Sequence, residues 1–304
     1  MLACVLALSL MPACGGSGAD SRSAAGSKGG STALANSGEA TGASFEQPSE
    51  VAIAVKDGMG IDTSHIVEGY VSVAAESAAR LKFQVTCGDM TYNYDLPNDG
   101  SPMIYPINMG DGSYLFRIMQ NTSGSNYVEI DATTADVVLG SEFDPFLLPN
   151  VYCDYDPSSD CVEKAREITA NSANLGEAVR DICTYVADHV TYDNDKAAEL
   201  SKATGYLPDP DETLRSGKGI CLDYSALSAA MLRSEGIPTK VMTGYVGKDE
   251  LYHSWIMVYI DGKWETAVFA VNPNTWSRCD VTFASTGATK YVGDASAYTD
   301  RYTY

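Results

Sequence analysis

The chain has 304 residues and a formal charge of −20, with 40 acidic against 20 basic side chains. This length allows two modest domains or one large one. No basic stripe is present, which argues against nucleic acid as a partner, because phosphate binding needs clustered Lys and Arg. The acidity favours an exposed, well-solvated protein and does not indicate a substrate.

The first residues predict a secretion signal. The apolar run from Leu2 to Pro12 is too short to span a bilayer and is followed by small residues. The run Leu-Met-Pro-Ala-Cys at residues 10–14 resembles a bacterial lipobox, whose cysteine is lipidated, and a plain cleaved signal is the alternative. We expect a signal peptide over residues 1–13 and a lipid-anchored, extracytoplasmic protein attached to the membrane through Cys14.

The next two segments differ in composition. Residues 14–48 are mostly Gly, Ser and Ala, cannot bury a core, and predict a flexible tether. Residues 49–147 contain strand patterns, beginning with the apolar and polar alternation of residues 81–85. Further strand-like runs are separated by turns rich in Gly, Asn and Asp. They predict a small antiparallel β-sandwich-like domain that serves as a packing or presentation module.

Helical patterns follow, and they define a second predicted domain over residues 148–304. Capping-box patterns at Asp160 and Glu163, and at Asn174 and Glu177, each precede a predicted helix. A polar loop is predicted over residues 207–212. Helices first and sheet last predict an α+β fold class for this domain.

A thiol lies at the start of the next predicted helix. The run Gly-Lys-Gly-Ile-Cys at residues 217–221 precedes an amphipathic pattern that continues to about Ser234. Gly236 and Pro238 are strong stop signals for that helix. Cys221 is therefore expected in the first turn, where unpaired N–H groups and the helix dipole favour negative charge and can hold an oxyanion. Gly217 and Gly219, which precede the thiol, are expected to leave the approach to it uncrowded.

A histidine supports a catalytic interpretation of this thiol. A cysteine at a helix start is by itself more often a small core residue than a nucleophile. His253 follows in a strand pattern, and a Cys–His ion pair both holds a thiolate and protonates a leaving amine. His65 lies in the β region and His189 at a helix end, so neither is an equal candidate.

The third member of the site is a carboxylate selected by strand geometry. Asp261 lies eight residues from His253 along one strand, about 26 Å away at about 3.3 Å per residue, and fits a hairpin turn better. Glu265 and Asp280 remain. A simple meander would leave Asp280 two strands from His253.

Asp280 reaches His253 only with one particular pairing. The predicted strand 276–283 has to pair directly and antiparallel with the predicted strand 253–260. The segment 261–275 is then an excursion from the sheet. This pairing is a structural prediction of the site assignment.

The remaining cysteines say less about disulfides and metal binding. Cys153 and Cys161 flank a short loop-like run and could form a disulfide in an oxidising compartment. Cys87, Cys183 and Cys279 then remain and cannot all pair. No CxxC spacing is present and the chain has three histidines, so we predict no zinc site and no cofactor.

Together these segments resemble the transglutaminase-like superfamily. The resemblance covers roughly residues 160 to 285, and Val281 stands where that family usually has Pro. The matching runs are 217–227 with 236–241 for the nucleophile helix and following strand, 253–259 for the His strand, 276–283 for the Asp strand, and Tyr192–Asp193 upstream.

The resemblance implies a papain-related core with Cys221 as nucleophile, His253 as acid and base, and Asp280 orienting the imidazole. The superfamily includes transglutaminases, proteases, amidases and inactive binding forms, so it does not fix the substrate. The resemblance does not lead us to expect a calcium site in this chain, because its Asp-rich loops lack an EF-hand pattern.

The expected function is hydrolysis or transfer of an amide, through an acyl-enzyme at Cys221. A protein or cell-wall peptide is the expected partner. The alternative is a noncatalytic surface module that uses the same core as a scaffold.

Overall fold

The computed structural model describes residues 59–201, 203, 205–260, 264–265, 270–271, 275–287 and 297–304. The predicted signal peptide, Cys14, the tether and the predicted turn at Asp261 lie outside the described residues. The described chain is 29% helical and 39% strand, and antiparallel sheets precede a core of mixed helices and strands. The predicted α+β fold class is confirmed.

Fifteen strands and six α-helices are described. The strands are β1 (Met59–Asp62), β2 (Tyr70–Ala75), β3 (Leu81–Cys87), β4 (Met90–Leu96), β5 (Met103–Pro106), β6 (Gly112–Ser123), β7 (Asn126–Val137), β8 (Thr191–Tyr192), β9 (Lys218–Gly219), β10 (Thr239–Val246), β11 (Leu251–Ile260), β12 (Trp264–Glu265), β13 (Ala270–Val271), β14 (Thr275–Cys279) and β15 (Tyr298–Thr303). The helices are α1 (Asp160–Thr169), α2 (Leu175–His189), α3 (Asn194–Leu200), α4 (Pro210–Ser216), α5 (Cys221–Ser234) and α6 (Val281–Thr286). A short 3-10 turn spans Asp144–Phe146.

The N-terminal part contains two antiparallel sheets, as the turn spacing predicts. One has the order β1-β2-β5 and the other β4-β3-β6-β7. Along β3 buried and half-buried residues alternate, which is the predicted period of two. β6 and β7 are each 12 residues long.

Helix α5 is the central helix of the core, and its bounds match the prediction. Every residue from 223 to 234 is buried, so the predicted amphipathic character is wrong and the helix is enclosed on all sides. The chain leaves the helix through Gly236, whose φ of 74° lies in the left-handed region that favours glycine.

Two helix predictions are corrected by the structure. Asp160 lies inside α1 and does not cap it, because the carboxylate of Asp211 accepts from the N–H groups of Asp160 and Cys161 at 3.1 and 2.9 Å. The polar loop predicted over residues 207–212 contains the start of α4. There Asp209 caps by accepting from the N–H of Glu212 over 2.8 Å.

The C-terminal sheet has the order β14-β11-β10-β15. β14 pairs directly and antiparallel with β11, with Ile256 opposite Cys279, so the predicted pairing is confirmed. Asp280, however, does not lie in a strand. It follows β14 as the N-cap of α6, where its Oδ1 accepts from the N–H of Phe283 over 2.9 Å.

The two predicted domains share one continuous hydrophobic core. Buried residues of β3 and β6 belong to the same cluster as residues of α5 and β11. The last residues of the chain join the two parts, since Asn108 donates to the carbonyl of Thr303 over 2.5 Å. The ring of Tyr304 packs 4.1 Å from that of Tyr152 and 6.0 Å from that of Tyr94, centroid to centroid.

All six described cysteines are free thiols, so the disulfide considered between Cys153 and Cys161 is absent. Both thiols are buried, and burial is the largest cause that raises the pKa of Cys153, to about 11. Of the helices in the described part of the chain, none has the length and apolarity needed to cross a bilayer.

Candidate active site

The centre of the site is a buried imidazole–carboxylate pair. The ring Nε2 of His253, on β11, lies 2.9 Å from Oδ2 of Asp280. The two side chains are 4% and 2% exposed. Asp280 directly follows β14, which is the hydrogen-bonded neighbour of β11, so the pairing of these two strands brings the two side chains together.

Cys221 completes the group of three predicted residues. It is the first residue of α5, it is half-buried, and its side chain interacts with the ring of His253. Because Nε2 is bonded to Asp280, Nδ1 is the ring nitrogen left to face the thiol. The structure thus brings all three predicted residues to one place.

Charges around His253 favour its protonated form. Burial alone would lower the pKa of this imidazole. The nearby carboxylate of Asp280, and after it the Cys221 side chain, outweigh burial and raise the pKa of His253 to about 10. An imidazolium beside a thiol is the arrangement that stabilises a thiolate.

Three donors hold the carboxylate of Asp280. His253 and the hydroxyl of Tyr298 both bond to Oδ2, the hydroxyl over 2.7 Å, and the N–H of Phe283 bonds to Oδ1. The Phe283 ring also stacks on the imidazole, with centroids 4.2 Å apart and planes 11° apart. Ring stacking and hydrogen bonding together fix the plane of His253.

A second buried carboxylate fixes the backbone beside the thiol. Oδ2 of Asp223, which is fully buried, accepts from the N–H of Ile220 over 2.8 Å and from Nζ of Lys196 over 2.7 Å. Its Oδ1 accepts from the hydroxyl of Tyr206 over 2.5 Å. The residue before Cys221 is therefore tied to α3 and to the segment before α4.

Glycine is needed at the two positions before the thiol for reasons other than the predicted open approach to it. Gly217, with φ 61°, ends α4 in the left-handed region. A Cβ on Gly219 would lie 2.6 Å from the Cβ of Asp223, so glycine allows that carboxylate to approach. β9 also pairs in parallel with β8, which places Tyr192 opposite Gly219.

The fold and this geometry agree with a family match. Residues 162–280 match the family model of the transglutaminase-like superfamily. This part of the chain is a transglutaminase-like domain. The match over these residues supports assignment to a family of thiol enzymes.

Curated relatives match the chain over short segments. A UPF0252 protein of Pyrococcus horikoshii is 31% identical over 84 residues, which is 27% of this chain and 25% of that protein. A kyphoscoliosis peptidase of Mus musculus is 30% identical over 98 residues, 29% of this chain and 14% of that protein. The chain thus spans about a quarter or less of these relatives.

Solved structures show more distant likenesses. A protein of Cytophaga hutchinsonii, provisionally assigned as a cysteine protease, is 17% identical with a TM-score of 0.40, covering 76% of this chain and 73% of that one. Red sea bream transglutaminase is 12% identical with a TM-score of 0.30, covering 70% of this chain and 48% of that one.

Sequence reasoning missed several residues of the site. Asp223 carried a usable signal, because an acidic residue three positions after Ile220 fits the second half of a capping box. Lys196 and Tyr206 carried none, since their role depends on how α3 and the following segment fold back. Tyr298 lies 18 residues beyond Asp280 in no recognisable motif.

Proposed function

We propose that the chain is an extracytoplasmic thiol enzyme that forms an acyl-enzyme at Cys221 and then hydrolyses or transfers an amide. The observation that carries the proposal is the buried His253–Asp280 pair against a thiol at a helix start. The amide would be a peptide bond or a glutamine carboxamide of a protein or cell-wall peptide. The name of the mouse relative, a peptidase, agrees with amide chemistry.

The chemistry would proceed in two steps. In the first, the sulfur of Cys221 attacks the amide carbonyl carbon, the carbon–nitrogen bond breaks, and His253 gives its proton to the leaving amine. A thioester remains on Cys221. In the second, water or a lysine amine attacks the thioester while His253 accepts a proton, and the thiolate is released. The N–H groups of the first turn of α5 would stabilise the oxyanion in both steps.

The proposed location rests on the sequence. The apolar run and the lipobox-like residues 10–14 support export and an anchor at Cys14, and the tether composition supports a folded part held away from the membrane. Expression of the full chain with Cys14→Ala tests this. The wild type is expected in the membrane fraction and the variant in the soluble fraction, whereas identical distribution of the two contradicts the anchor.

Amine incorporation tests the reaction. The protein is incubated with casein and a fluorescent primary amine, and the products are separated by gel electrophoresis. Fluorescent casein identifies a transferase, and casein fragments identify a protease. Either activity is expected to disappear with Cys221→Ala and to persist with Cys87→Ala, a matched change at another half-buried thiol.

The noncatalytic scaffold is the other outcome of this test. If wild type and Cys221→Ala leave casein unchanged, the same pair is assayed by mass spectrometry for acylation by p-nitrophenyl acetate. Absence of a Cys221-dependent acyl adduct there would count against the enzyme and in favour of the scaffold.

A further inference from the structure

Tyr298, the first residue of β15, shares an oxygen with the active-site imidazole. Its hydroxyl donates to Asp280 Oδ2 over 2.7 Å, and the same oxygen lies 2.9 Å from Nε2 of His253. Tyr298 is 9% exposed and Asp280 2%. A hydrogen bond to a carboxylate in such a buried place is charge-assisted and stronger than in water.

Packing holds the Tyr298 ring independently of this hydrogen bond. Trp255 meets the ring edge-on, with centroids 4.8 Å apart and planes at 74°. The guanidinium of Arg278 lies 4.1 Å from the ring centroid. A phenylalanine would keep both contacts, so the hydroxyl can be removed without removing the ring.

The Tyr298 hydroxyl affects the charge on the Asp280 carboxylate more than the orientation of that carboxylate. Asp280 already has one oxygen fixed by the N–H of Phe283 and the other by His253. A further donor on Oδ2 reduces the negative charge that this oxygen presents to the imidazole. Tyr298 also lies beyond residues 162–280, the segment that matches the family model.

We propose that Tyr298 is a positioning residue that acts through Asp280 and limits how strongly this carboxylate retains the proton of His253. The inference rests on the proposed function, in which His253 passes that proton to a leaving amine. A proton held too tightly is transferred slowly, because acid catalysis is most efficient when the acid titrates near the working pH.

The charged and titratable groups around His253 come from four elements. Asp280 precedes α6, Cys221 begins α5, Tyr298 begins β15, and Arg278 on β14 lies over the Tyr298 ring. Burial lowers the pKa of His253, and Asp280 and then Cys221 raise it to about 10. The Tyr298 hydroxyl opposes part of the effect of Asp280.

The test is a titration of His253 in full-length protein, followed by NMR with 15N-labelled histidine. The chain has three histidines, so the signals are few and His253→Ala assigns the relevant one. Tyr298→Phe is expected to raise the His253 midpoint by about half a pH unit or more, where one unit is a tenfold change in proton affinity. Tyr155→Phe is the matched control, since that buried hydroxyl donates to the carbonyl of Leu147 over 3.2 Å. It should leave the midpoint unchanged.

Repeating Tyr298→Phe in the Asp280→Asn variant distinguishes an effect of Tyr298 that acts through Asp280 from a general effect on packing. In Asp280→Asn the carboxylate charge is gone, so Tyr298→Phe should no longer move the His253 midpoint. An unchanged or lowered midpoint in Tyr298→Phe alone overturns the inference, and so does an equal rise in the Asp280→Asn background. The titration needs no substrate, so its result stands whether or not the chain transfers acyl groups to water or amines.

Discussion

Nε2 of His253 and Oδ2 of Asp280 are 2.9 Å apart although the residues are 27 positions apart in the chain. The direct pairing of β11 with β14 makes this approach possible. Nδ1 of the imidazole is thereby left for Cys221, which begins α5. The geometry of the site therefore depends on the pairing of β11 with β14.

Removing the charge of Asp280 should make His253 lose its proton at lower pH. The pKa of His253 is raised to about 10 mainly by that carboxylate, and burial acts in the opposite direction. Asp280→Asn keeps the size of the side chain and removes the charge. The 15N titration is expected to show the midpoint falling by more than one pH unit, and a midpoint that stays near 10 would show that Asp280 is not the cause.

The same raised pKa predicts how stability depends on pH. A protonated His253 stabilises the folded state more than the unfolded state, whose histidine has a pKa near the ordinary 6.5. This stabilisation is complete below about pH 6.5 and is lost as pH rises toward 10. Urea unfolding from pH 6 to 10 should show a smaller decline for His253→Ala than for the wild type. Parallel declines would contradict the assignment.

Lys196 should contribute substantially to stability through Asp223. Lys196→Met would leave a fully buried carboxylate without its cationic partner, which costs about 3 kcal/mol in comparable buried pairs. The control is Lys164→Met, which breaks an ion pair with the exposed Glu167 and should leave the free energy of unfolding almost unchanged, because solvent screens exposed pairs. Urea unfolding measures both, and equal effects of the two changes would argue against a structural role of Lys196.

Arg233 joins three segments of the core. Its guanidinium is fully buried and donates to the carbonyls of Thr239, Leu148 and Tyr304 at 2.9, 2.6 and 3.0 Å. Arg233→Met should lower the free energy of unfolding by about 3 kcal/mol or more, because the hydrogen bonds of a buried guanidinium to three separate segments are lost. Arg215→Met, at an exposed position, should change it by less than about 0.5 kcal/mol. Thermal melts that do not separate these variants would contradict this role.

The sequence predicted those parts of the molecule whose signals are local. The bounds of α5 follow from a glycine-rich start and the stop signals at Gly236 and Pro238. The alternation in β3 likewise reflects burial of one face. The pairing of β11 with β14 was predictable because a hydrogen bond between His253 and Asp280 allows no other arrangement.

Features that depend on distant contacts were not predictable. The cap of α1 comes from Asp211, about 50 residues later, so the local pattern at Asp160 and Glu163 was misleading. Helix α4 was missed, although Asp209 before Pro210 is a typical helix start, because the surrounding prolines resemble a loop. Tyr298 reaches Asp280 through the docking of the last strand on β10, which no local pattern indicates.

Activation of Cys221 by His253 is tested most directly by the rate at which iodoacetamide labels individual cysteines at pH 7, read by peptide mass spectrometry. Cys87 is the internal reference, because it and Cys221 are the half-buried thiols among the described cysteines. In the wild type Cys221 should react at least about tenfold faster than Cys87, since an ordinary thiol is only a few per cent ionised at this pH. His253→Ala should bring the ratio to about one. Equal rates at the two cysteines in the wild type, or a ratio unaffected by His253→Ala, would contradict the account.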